Sequence, residues 1–157
     1  MVRLFSIALG IFAWISVAAC AHHLDTAHAS SVTWNLFVAG DEAHLAYGQP
    51  NSDLVGVKLT CQRGSNAVLI AGDVPSENAR LVLASGRQRL ALEGAASPDP
   101  FTGAYWMEAN ASTRSAALKR FAQTGDLSLV KRLGSLDMRA SEQAKGDIRR
   151  FFAHCEA

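Results

Sequence analysis

From Val32 onward the chain alternates apolar and polar residues in short runs, each cut off by a turn, and this period of two constrains its architecture most. Val32 to Val38 and Ala43 to Tyr47 flank Gly40-Asp41, where glycine supplies the left-handed first position of a hairpin turn. Gly48 to Asp53 reads as a loop, Leu54 to Gln62 as a third strand, Arg63-Gly64-Ser65-Asn66 as a turn and Ala67 to Ala71 as a fourth strand. Arg80 to Ala84 and Arg87 to Glu93 form another hairpin about Ser85-Gly86, and Ala104 to Ala109 follows the break from Pro98 to Gly103. This series predicts an antiparallel β-sandwich or strongly curved sheet.

The period then changes. Ser112 or Thr113 can cap a helix running through Gln123, with Ala117, Leu118, Phe121 and Ala122 inward and Gly125 beyond its end. Asp126 to Lys131 reads as one more strand, Gly134 to Ala140 has no clear pattern, and Ser141 to His154 is a final amphipathic helix. The expected class is therefore mainly β with two helices (α+β), the C-terminal one packed on the sheet, in a single domain over 32–157.

The first 31 residues follow other rules. Arg3 is the only charge ahead of an apolar run from Leu4 to Val17, which ends in Val17-Ala18-Ala19-Cys20. A basic start, an apolar stretch too short to span a bilayer comfortably, and small residues at a cut site predict an export signal over 1–19. The last four residues resemble the lipobox of bacterial lipoproteins. That resemblance implies that Cys20 becomes the lipidated first residue, with 20–31 as a flexible tether and the membrane reached through the lipid. Ala27-His28-Ala29 offers the alternative cut of an ordinary secretory signal, and a retained anchor is the third option; all three place the domain outside the cytoplasm, in the periplasm or secreted.

Removing the signal leaves 138 residues, the size of one domain. It also removes one Arg, so 14 basic residues face 14 acidic ones and phosphate attraction gains little; a nucleic-acid partner is disfavoured. Cys20 to Ala111 holds 5 basic and 9 acidic residues and Ser112 to Ala157 holds 9 and 5, as expected of two halves that complement each other within one fold. With lipid on Cys20, Cys61 and Cys155 remain for one disulfide. Val57, Leu59 and Cys61 share one strand face, while Ala144, Ile148, Phe151, Phe152 and Cys155 draw one helical stripe, so both thiols point into the core.

Little of the remaining chemistry assembles by spacing. No G-x-S-x-G turn, no CxxC pair and no phosphate-cradling glycine loop occurs, so no catalytic residue and no cofactor is assigned. His22, His23, Asp25 and His28 sit in the tether without a rigid shell, and no metal site is expected. His44 and His154 read as lone surface or packing histidines. Asp99, Tyr105, Trp106 and Glu108 are the ligand-surface candidates, since an exposed aromatic beside polar groups suits sugar or peptide recognition; simple alternation would instead send one of Tyr105 and Trp106 into the core.

The run from Ala43 to Cys61, together with Phe151-Phe152-Ala153-His154-Cys155, resembles a group of uncharacterised exported proteins of alphaproteobacteria, a resemblance that carries no activity. The compact secreted β design and the turn Ser85-Gly86-Arg87 are distantly similar to small envelope lysozyme inhibitors. The expectation is a non-enzymatic cell-envelope protein that binds another periplasmic molecule, a protein or a glycan. The alternative is a small periplasmic hydrolase whose site is assembled only in the fold.

Overall fold

The computed structural model describes residues 32–100 and 103–157, so the proposed signal, Cys20 and the tether lie outside the described residues. Its strands are β1 (Thr33–Ala39), β2 (Glu42–Gly48), β3 (Val55–Gln62), β4 (Ala67–Val74), β5 (Leu81–Ser85), β6 (Gln88–Leu92), β7 (Ala95–Pro98), β8 (Tyr105–Ser112), β9 (Asp126–Lys131) and β10 (Gly134–Arg139). The helices are α1 (Ala116–Thr124) and α2 (Glu142–Glu156). The class is α+β, mostly β, in two antiparallel sheets with a C-terminal helix. One sheet has the order β1-β2-β3-β4-β8-β7, the other β10-β9-β5-β6.

Alternation determines which side chains meet. Trp34, Ala43, Leu45, Val57, Leu59, Cys61, Val68, Ile70, Met107 and Ala109 line the inner face of the six-stranded sheet, while Leu81, Leu83, Leu127, Leu129 and Met138 line that of the four-stranded sheet; all are buried. Both helices pack between these faces. Phe121 of α1 meets Trp34 at 4.8 Å between ring centroids, and Phe152 of α2 meets Phe121 edge-on at 6.0 Å, so one continuous core joins both sheets and both helices. Trp34 also donates its indole N–H to the Met138 carbonyl of β10 at 3.0 Å, satisfying the one polar atom it carries into the core.

The final helix is fastened at both ends. Ser141 caps its start by accepting from the Ala144 N–H at 3.2 Å, and Ala144, Ile148, Phe151, Phe152 and Cys155 bury its apolar stripe. Near its end the turn after β3 supplies donors for last-turn carbonyls: Gly64 N–H bonds His154 O at 3.2 Å and Asn66 N–H bonds Cys155 O at 3.0 Å. His154 Nε2 reaches the Asp41 carbonyl at 2.9 Å, and since a carbonyl only accepts, that nitrogen carries the proton. Gly64 sits at φ 69° with room for no Cβ, which would lie 2.6 Å from the Ala157 carbonyl oxygen; the close approach requires glycine. Cys61 and Cys155 form the expected disulfide, with Cα atoms 5.7 Å apart.

Three readings of the chain are corrected. β7 occupies residues given no element between the second hairpin and the break that begins at Pro98, and the patternless segment from Gly134 is β10. Helix α1 starts later than Ser112 or Thr113: its N-cap is Ser115, whose hydroxyl makes no capping bond, and Ala122 is only half-buried. Gly125 follows α1 in the left-handed conformation, as expected.

Candidate functional site

The β4–β8–β7 register assembles the candidate surface. Val74 pairs with Tyr105, Asp73 with Trp106 and Ala71 with Glu108, while across β7 Ser97 pairs with Trp106 and Pro98 with Tyr105. Tyr105 therefore shares the inner face with Met107 and packs against the core, which removes it from the ligand surface. Trp106 and Glu108 point outward, Trp106 half-buried and Glu108 exposed. In the Trp106 row, the indole is flanked on one adjacent strand by Asp73 and on the other by Ser97.

Asp73 was not a sequence candidate, because only strand register brings it beside Trp106. Burial pushes its carboxyl above the ordinary value, Lys131 opposes that, and the negative charge of Asp99 adds to it. Asp99 thus belongs to the same neighbourhood through its charge. Its backbone closes the turn before β8, donating to the Ala104 carbonyl at 2.9 Å and accepting from Gly103 N–H at 3.2 Å. Both helices pack against inward-facing side chains, so among the described residues no helix covers the Trp106 side of the large sheet.

The same open face holds a second arrangement. His44 pairs with Thr60 across β2 and β3, and Nδ1 lies 3.1 Å from the Thr60 hydroxyl, while Nε2 lies 2.8 Å from Glu42 Oε1. Glu42 Oε2 accepts from the Gln62 amide at 3.0 Å, and the Phe37 ring stacks on the imidazole at 6.2 Å between centroids. An ionised carboxylate only accepts, so Nε2 donates to Glu42; in neutral His44, Nδ1 then accepts from Thr60 O–H. The result is a hydroxyl–imidazole–carboxylate relay. Spacing along the chain concealed it, because its central contact crosses strands 16 residues apart in sequence.

Among the described residues, no group of three or more His, Cys, Asp or Glu is placed to hold a metal, and no helix is long and apolar enough to cross a membrane. Two shallow cavities, of about 580 and 370 Å³, lie along α2 and between α2 and β1, away from both the Trp106 row and the relay. Comparison with known proteins finds no matching family model, no similar curated protein and no similar solved structure.

Proposed function

We propose that the protein is an exported, non-enzymatic component of a bacterial cell envelope whose sheet face around Trp106 binds another periplasmic molecule, a protein or a glycan. The observation that carries this reading is the row Asp73, Trp106, Ser97. A half-buried indole with hydrogen-bonding side chains on both adjacent strands matches the needs of a flat polar ligand, which stacks its apolar surface while its hydroxyls or amides bond at the margins. Asp99 and Glu108 extend the polar margin. Nucleic acid is disfavoured by the neutral charge balance.

Trp106→Ala is expected to weaken binding of peptidoglycan fragments or of a periplasmic partner by about thirtyfold, the effect of losing an aromatic hot spot of about 2 kcal/mol. Isothermal titration calorimetry of parent and variant reads this out, because its signal does not depend on the tryptophan that is removed. Equal affinity of the variant and the parent would remove Trp106 from the site. Export is supported by the pattern of the first 20 residues, and the Cys61–Cys155 bridge is compatible with an oxidising compartment. Mass spectrometry of the mature chain is expected to find lipid on an N-terminal Cys20; an unmodified N-terminus at Ser30 would replace lipidation with simple secretion.

The hydrolase alternative is favoured by one observation, the Thr60–His44–Glu42 relay, in which the imidazole is placed to take the hydroxyl proton. On that reading a fluorophosphonate probe labels Thr60, and His44→Ala lowers the labelling rate by about 100-fold or more. Absence of labelling, or labelling indifferent to His44, leaves the relay as a polar cross-strand contact.

A further inference from the structure

Strand register turns the outer face of the six-stranded sheet into a grid. One row across the strands reads Phe37, His44, Thr60, Leu69 and Asn110, and the row four residues further along the strands reads Asp73, Trp106 and Ser97. The Thr60–His44–Glu42 relay and the Trp106 surface therefore share one face and lie toward opposite corners of it. Phe37 is 64% exposed and Trp106 half-buried. Among the described residues these two are the Phe, Tyr and Trp side chains of the outer face, since Tyr47 and Tyr105 pack against the core. Four strand spacings of about 4.8 Å and four residues of about 3.3 Å separate the two positions, which puts about 23 Å between them.

The row between them is low at alternate strands. Ala46, Lys58, Ala71 and Glu108 follow one another on β2, β3, β4 and β8, so the line from Phe37 to Trp106 crosses two alanines with Lys58 between them. Thr60, Asn110 and Ser97 border that line with neutral hydrogen-bonding groups. The backbone of the inner strands is already paired in the ladder, so a ligand on this face meets side chains alone. An extended peptide, which binds by adding main-chain hydrogen bonds, is suited to an edge strand instead. Sugar rings, with an apolar face to stack and hydroxyls at the margin, match aromatic platforms set among hydroxyl and amide groups. Charge narrows the choice further. Glu42, Asp73 and Glu108 stand against Lys58 and His44 on this face, so it lacks the positive excess that would attract a polyanion.

We propose that the outer face of the large sheet is a track for a linear, uncharged glycan, with Trp106 and Phe37 each stacking one of its sugar rings and Lys58 bonding the stretch between. This inference rests on the Trp106 reading and deepens it, since Trp106 alone would serve a single ring whereas the pair selects a polymer. A disaccharide is too short to reach both aromatics. A chain of several rings reaches both, and the second contact then forms at the high effective concentration set by the first.

Calorimetric titration of the full chain with a disaccharide and a hexasaccharide of N-acetylglucosamine tests the track. The hexasaccharide is expected to bind about tenfold more tightly than the disaccharide. Phe37→Ala should abolish that gain and leave the disaccharide affinity unchanged, because Phe37 is exposed and remote from Trp106. Ala46→Arg, which stands a long side chain in the line between the aromatics, should do the same. Equal affinity for the two lengths, with Trp106→Ala still weakening both, overturns the track and leaves the Trp106 subsite in place. If Trp106→Ala changes neither affinity, the Trp106 reading fails and the track fails with it. Binding of neither oligomer, or tighter binding of a galacturonate hexasaccharide, overturns the uncharged glycan as the occupant.

Discussion

Cys155→Ala is expected to lower stability by about 2–5 kcal/mol, a large part of what a domain this size possesses. The bridge joins residues separated by 94 positions, so its loss releases a long loop in the unfolded ensemble. It also leaves the end of α2 held by apolar burial and by the donors of the turn after β3, namely Gly64 and Asn66. The contacts of Phe151 and Phe152 are expected to open first, ahead of the sheets, because without the bridge they are anchored by apolar burial and a few hydrogen bonds with the turns at Asp41 and at Gly64 and Asn66. Chemical denaturation of variant and parent gives the total, and hydrogen exchange gives the order. Protection in α2 that survives unchanged in the variant would show that the packing of the helix, and not the bridge, fixes it in place.

Trp34→Ala is expected to cost about 3–5 kcal/mol, the range for emptying a buried aromatic site. Trp34 is 2% exposed, touches Tyr47 at 5.3 Å and Phe121 at 4.8 Å between centroids, and bonds the Met138 carbonyl of the opposite sheet. Its removal opens a cavity where β1, β10 and α1 meet and strips the Met138 carbonyl of a donor. Trp34→Phe separates the two losses: it refills most of the volume but not the hydrogen bond, and should cost about 1–3 kcal/mol. Equal costs for the two substitutions, read from urea midpoints, would mean that the hydrogen bond dominates. Near-neutral behaviour of Trp34→Ala would contradict the central position of this residue in the core.

The legible parts of this fold were those in which side chains alternate strongly. β1 to β6, β8 and β9 alternate apolar inward residues with more polar outward ones, among them Trp34, Leu45, Leu59, Ile70, Leu83, Leu92, Met107 and Leu129 on the inward side, and the apolar stripe of α2 repeats at helical spacing. β7 was hidden because Ala95 to Pro98 offers little to bury; it exists through backbone pairing with β8, which Gly94 admits by passing so close that a Cβ there would sit 2.0 Å from the Glu108 carbonyl oxygen. β10 was obscure because, of its residues, only Met138 is fully buried. The candidate face divided in the same way. Alternation along β8 is enough to separate Tyr105 from Trp106, but which of them faces inward depends on register with β4. Asp73 beside Trp106 and Thr60 beside His44 are cross-strand neighbours, a relation that exists only once the strands have paired.

The position of α2 has a consequence for how the domain is made. It follows every described strand, yet it packs on β1, the first of those described, and contributes Ile148, Phe151 and Phe152 to the core between the sheets. A chain emerging from its amino end therefore presents the ten described strands with a shared interior that stays incomplete until α2 arrives. Such non-local closure is slow, because distant segments must meet before the core rewards them. The consequence is that the shared core closes only when the final helix docks, which is expected to make folding slow.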